Sequence, residues 1–126
     1  TEMEFIQSYI FLLKIRFGDN INFYIQVDTA YHNYLVPPMA LEIILENTIK
    51  HNEVSIEKPL LVSIETTKQN YLTISNNLQP RNDVEKGTQL GLKNIKQRYL
   101  HYTDQPVNIE KKNNQFMVQI PLLPKQ

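Results

Sequence analysis

Asn47, Lys50 and His51 fall within about one turn of "LEIILENTIKHN", Leu41 to Asn52, if that stretch is helical. Residues at that spacing share a side of a helix. Their chemistry suits a metal and a phosphate. An amide oxygen ligates a hard divalent cation, while an ammonium and an imidazole meet phosphate oxygens. The same stretch carries Leu41, Ile44, Leu45, Thr48 and Ile49 at helical spacing, which predicts a buried face. On spacing alone the polar residues also read as an ordinary solvated face. Glu46 and Lys50 then form an i,i+4 pair worth only a few tenths of a kcal/mol, roughly. Taken by itself, that reading is the stronger one.

Two further stretches could meet a ligand. In "GTQLGL", residues 87–92, Gly87 and Gly91 lie where a polar loop turns into a helix. Glycine lets backbone come close to a ligand, and a helix N-terminus offers free N–H groups to anions. A hinge followed by a helix start has the same signature. In "ISNNLQP", residues 74–80, Asn76 and Asn77 leave a strand. They can build an Asx-turn or meet the edge of a nucleobase.

The elements that must position these residues are legible from periodicity. Residues 2–16 show helical spacing through Phe5, Tyr9, Leu12 or Leu13, and Arg16, and Gly18 suits the C-terminal cap. "NFYIQV" alternates Phe23, Ile25 and Val27 against polar neighbours, as a half-buried strand does. "LVPP" is extended, and Pro38 fits the first turn of the helix that runs to about His51. "PLLVSIET" and "YLTISN" read as strands joined at "TKQN", and residues 76–89 as a long polar loop. "LGLKNIKQRYLHY" returns to helical spacing through Leu92, Ile95, Tyr99 and Tyr102. "PVNIEK" and "QFMVQIPLL" close as strands around the turn "KNNQ". Short connections between strands imply a mixed, mainly antiparallel sheet covered on one face by helices, an α+β fold arranged as an α/β sandwich.

Bulk properties narrow the function classes. A chain of 126 residues suits one domain with its own core. Thirteen basic and thirteen acidic residues cancel, so no global field draws the chain to nucleic acid or an anionic membrane. The absence of cysteine excludes disulfides and thiolate metal sites. No apolar run reaches the roughly 18 residues that span a bilayer. The acidic start lacks the basic region of a secretion signal. A chain starting at Thr1 rather than Met reads as part of something longer.

Together the motifs are far more specific than they are apart. "PPMALEIILENTIKHN", then "GTQLGLKNIKQRY" and a terminal "FMVQIPLL", resemble the ATP-binding domain of sensor histidine kinases, in the LytS-type branch of the GHKL superfamily. "YIFLLKIRFGDNINF" resembles the segment joining that branch's dimerisation helices to its catalytic domain. The resemblance implies a Bergerat-type fold, with residues 1–18 ending the dimerisation and phosphotransfer helix and 19–126 forming the ATP-binding domain. It implies that Asn47 coordinates Mg²⁺ on the ATP phosphates, with Lys50 and His51 nearby. The backbone of Gly87, Leu90, Gly91 and Leu92 would cap those phosphates beneath a lid, residues 77–88. Asn76 would meet the adenine. The expected partners are ATP, the upstream domain, a second copy in the full-length homodimer and a response regulator, with no nucleic acid. The expected setting is the cytoplasmic side of an inner-membrane sensor kinase.

Two departures from the family pattern stand out. Where the superfamily has Asp-x-Gly-x-Gly, this chain has Asn76 to Pro80, so charge and both glycines are lost. The general-base glutamate of the superfamily's ATPases falls at Ile43. Glu42 lies about 100° further round the helix, and Glu46 is at most a second layer around the site. That favours a kinase over a gyrase-like ATPase. His32, His51 and His101 do not match the family's phosphoacceptor motif, which belongs upstream. The alternative reading is a degenerate, non-catalytic module of the same fold that serves dimerisation or docking; a serine kinase of the anti-sigma type fits less well.

Overall fold

The computed structural model describes residues 2–31, 33–37, 39–51, 57–77 and 87–124, with backbone alone at 2–5, 51 and 87–90. His32, Pro38, Asn52 and residues 78–86 of the expected lid lie outside the described residues. The elements are α1 (Glu2–Phe17), β1 (Ile21–Gln26), α2 (Ala40–His51), β2 (Leu60–Thr66), β3 (Tyr71–Asn77), α3 (Gly87–Tyr99), β4 (Asn108–Lys112) and β5 (Gln115–Pro121).

The strands form one sheet in the order β1-β2-β3-β5-β4. β1 runs parallel to β2, and every other neighbour is antiparallel. A parallel pair needs a long crossover, and α2 lies within it. The β2–β3 and β4–β5 pairs close through tight turns, whereas β3 and β5 are joined through α3 and β4. Asn70 adopts φ 66°, and Asn113 and Asn114 adopt 54° and 61°. Two consecutive left-handed residues are what a two-residue type I′ hairpin requires, and asparagine tolerates that region.

Strand alternation decides which face is covered. Leu60, Val62, Ile64, Leu72, Ile74, Phe116, Val118 and Ile120 point to the buried face. Each such side chain contributes about 1.5–3 kcal/mol when fully removed from water. The opposite face is polar: Asn108 donates to Gln119 (3.4 Å), and Gln119 donates to Thr73 (3.2 Å). The helices supply the other half of the core through Ile6, Ile10 and Leu13 of α1, Leu41, Ile44 and Leu45 of α2, and Leu92, Ile95 and Tyr99 of α3. This is the expected α+β sandwich.

Three local expectations need correction. α1 buries Ile6, Ile10 and Leu13, while Leu12 is 61% exposed, because its apolar residues ring the helix and leave two phases open. α3 begins at Gly87, inside the span read as loop, and ends at Tyr99. The amides of Tyr102 and Thr103 both turn back to the Tyr99 carbonyl, so Tyr102 lies beyond the helix and is exposed. β3 continues through Asn77, which pairs with Gln115, so Asn76 and Asn77 belong to a strand rather than to an Asx-turn. At the end of α1, Gly18 is left-handed (φ 58°), and Lys14 Nζ donates to the carbonyls of Gly18 (2.9 Å) and Ile21 (2.7 Å).

Candidate nucleotide site

The site is built around α2. Helical phase turns Asn47 and Thr48 inward, and they are 6% and 2% exposed. Buried polar groups on a helix need partners. Thr48 finds one, its hydroxyl donating to Asn76 Oδ1 on β3 at 3.4 Å. Asn76 Nδ2 in turn donates to the Asn77 carbonyl (2.9 Å). That carbonyl only accepts, so it fixes which end of the Asn76 amide carries the donors.

Asn47 is different. Its Oδ1 is buried and has no hydrogen-bond partner among the described residues. An unpaired buried acceptor costs about 1–3 kcal/mol. A neutral amide oxygen held in that condition is a donor suited to a hard cation. No group of three or more His, Cys, Asp or Glu side chains among the described residues could hold a metal. A cation at Asn47 therefore needs further ligands from a phosphate-bearing molecule and water, as magnesium commonly takes them.

The other side of α2 faces α1. The Tyr9 hydroxyl lies beside the carboxylate of Glu46. Burial pushes the Tyr9 phenol up to about 12, the charges of Glu46 and Glu42 add to this, and Arg16 opposes it. Glu42 and Glu46 thus lie near Tyr9. Ile43 is turned toward α3.

Gly91 has a packing role in the structure. A Cβ at this position would stand 3.2 Å from Ile43 Cγ2, tighter than ordinary van der Waals contact. Glycine lets α3 approach α2 one turn before Asn47. Leu92 is 8% exposed and commits its side chain to the core, leaving only its backbone for a ligand. Gly87 opens α3, and Leu90 follows in its first turn.

The structure therefore brings Asn47, Asn76 and Gly91 to neighbouring elements. Lys50 is exposed and has an interaction of its own. The His51 backbone ends α2, its side chain lies outside the described residues, and His101 is exposed. Asn77 serves the fold, accepting from Leu61 N (2.7 Å) and donating to the Pro59 carbonyl (3.4 Å), where it extends the ladder at the start of β2. Sequence periodicity placed Thr48 among the apolar positions. Its hydroxyl in a core row was the available sign of its link to β3.

The layered sheet and the α2–β3–α3 arrangement define a class. The chain has the fold of histidine kinase catalytic domains. It matches the mycobacterial sensor histidine kinase MprB with a TM-score of 0.61 at 15% identity, over 98% of this chain and 97% of that one. It matches a nucleotide-free catalytic domain of histidine kinase ThkA with a TM-score of 0.60 at 19% identity, over 92% and 89%. Within that class the chain is similar in sequence to LytS sensor proteins. It is 29% identical over 75 residues to LytS of Staphylococcus epidermidis, covering 59% of this chain and 13% of that protein. It is 38% identical over 50 residues to LytS of Staphylococcus saprophyticus, covering 40% and 8%. The aligned part is thus a small fraction of these relatives. No family model matches the chain.

Proposed function

We propose that this chain is the ATP-binding catalytic domain of a two-component sensor histidine kinase, holding Mg-ATP so that its γ-phosphoryl group passes to a histidine on an upstream segment. The single observation that carries the reading is the buried Oδ1 of Asn47, without a partner among the described residues, on the helix that resembles the family's asparagine motif. In this reading Asn47 ligates magnesium, and Lys50 and His51 lie near the phosphates. The backbone of Gly87, Leu90, Gly91 and Leu92 caps them, and Asn76 Oδ1 accepts from the adenine amino group. Bound magnesium would neutralise charge on the phosphate oxygens. The chain's own part is to position the nucleotide and exclude water, since phosphoryl transfer needs little covalent chemistry from the protein.

The upstream partner has support on α1. Phe11, Leu12 and Ile15 are 64%, 61% and 66% exposed on one side of that helix, an apolar stripe suited to a dimerisation helix. Residues 1–18 then end the dimerisation and phosphotransfer segment, and the full-length protein is a homodimer that signals to a response regulator. An inner-membrane sensor protein would carry this domain on its cytoplasmic side; no described helix here is long and apolar enough to cross a membrane.

Titration of the domain with ADP, with and without Mg²⁺, tests the reading. Saturable, magnesium-enhanced binding that Asn47→Ala weakens supports it. No saturable binding at millimolar nucleotide, with the variant behaving identically, contradicts it.

A further inference from the structure

Glu46 and Thr48, the residues on either side of Asn47, each meet a different element, Glu46 from the exposed side of the helix and Thr48 from the buried side. The Tyr9 hydroxyl of α1 lies beside the Glu46 carboxylate. Thr48 donates to Asn76 of β3. Successive helical residues point about 100° apart, so the two contacts hold α2 from directions about 200° apart. Between them lies the one buried side chain of this helix whose oxygen has no partner among the described residues. The Thr48–Asn76 bond is shielded from competing water, both residues being almost fully buried. Roll of α2 about its axis would break one contact or the other and move Asn47 Oδ1.

We infer that Tyr9 and Thr48 are positioning residues that fix the roll of α2, so that Asn47 Oδ1 meets a hard cation without rearrangement. The inference rests on the reading of Asn47 as the magnesium ligand. It gives α1 a direct mechanical link to the site, through a phenol on its half-buried side. Groups that orient a metal ligand govern affinity for the metal more than affinity for the rest of a bound molecule. A role in packing alone would change thermal stability and leave the magnesium dependence of binding untouched.

The test is the magnesium enhancement of ADP binding, the ratio of dissociation constants in EDTA and in Mg²⁺, measured by calorimetry on wild type, Tyr9→Phe, Thr48→Val and Thr48→Ser. The ratio should fall by roughly tenfold or more in Tyr9→Phe and Thr48→Val. Metal-free affinity should stay within about twofold of wild type in Tyr9→Phe, and Thr48→Ser, which keeps the hydroxyl, should retain the wild-type ratio. An unchanged ratio in Tyr9→Phe and Thr48→Val, or a Thr48→Ser variant that behaves as Thr48→Val, overturns the inference while leaving Asn47 as ligand. A wild-type protein with no magnesium enhancement refutes the cation reading and this inference with it. Should Thr48→Val fail to fold, Tyr9→Phe and Glu46→Gln carry the same test from the less buried side of the helix.

Discussion

Gly91 and Ile43 meet so closely that a single added carbon on Gly91 would stand 3.2 Å from Ile43 Cγ2. The glycine read from sequence as a phosphate-capping residue is thus also the point where α3 rests on α2. Gly91→Ala sets two effects against each other. Alanine gains about 0.5–1 kcal/mol over glycine in a helix interior, and overpacking costs about 1–3 kcal/mol. The expected net result is mild destabilisation. Adding Ile43→Ala should relieve it, giving a favourable coupling above about 0.5 kcal/mol in a urea-unfolding double-mutant cycle. Strict additivity would place the contact elsewhere.

Tyr99 is 1% exposed, and its hydroxyl has no partner among the described residues. Tyr99→Phe removes that unpaired group and leaves the ring in place. Stability in urea should rise by about 1 kcal/mol. A loss of comparable size would mean that the hydroxyl is satisfied in solution.

The raised phenols of Tyr9 and Tyr99 predict alkaline sensitivity. Burial raises Tyr99, and burial together with nearby carboxylates raises Tyr9 to about 12 from an ordinary 10.0. The folded protein then keeps protons that the unfolded chain releases. The contribution is fully present below pH 10, is lost as pH rises from there through the folded values, and never grows on that side. Thermal midpoints should fall above pH 10, less steeply in Tyr99→Phe. An identical slope in that variant would exclude Tyr99 as a source.

Asn47 should show a separation of stability from function. Its amide oxygen has no partner among the described residues and contributes little to folding, so Asn47→Leu, similar in volume, should be neutral or stabilising by about 1 kcal/mol. The same change should abolish magnesium-enhanced nucleotide binding. A strongly destabilised Asn47→Leu would point to a hidden partner for Oδ1.

Much of this architecture was legible from residues 21–26 and 60–77, where strict alternation fixes strand and face together, and from Asn113–Asn114, where turn chemistry allows little else. α1 was legible as a helix but not in phase, because Phe11, Leu12 and Ile15 add an apolar stripe on the side opposite Ile6, Ile10 and Leu13. The motif around Asn47 was visible, but the means of holding it was not. Tyr9 and Glu46 lie on separate helices, and Thr48 and Asn76 are separated by 28 positions. Neither link follows from any local spacing. Gly91 was noticed for what its backbone could offer a ligand, whereas its contact with Ile43 depends on how two helices pack.

The most direct measurement is calorimetric titration of ADP into the wild-type domain and Asn47→Ala, each with Mg²⁺ and with EDTA. Saturable binding that magnesium strengthens in the wild type, with the enhancement lost in Asn47→Ala, is the expected result. Binding that is absent, or equally strengthened by magnesium in both proteins, would contradict a nucleotide site organised around Asn47.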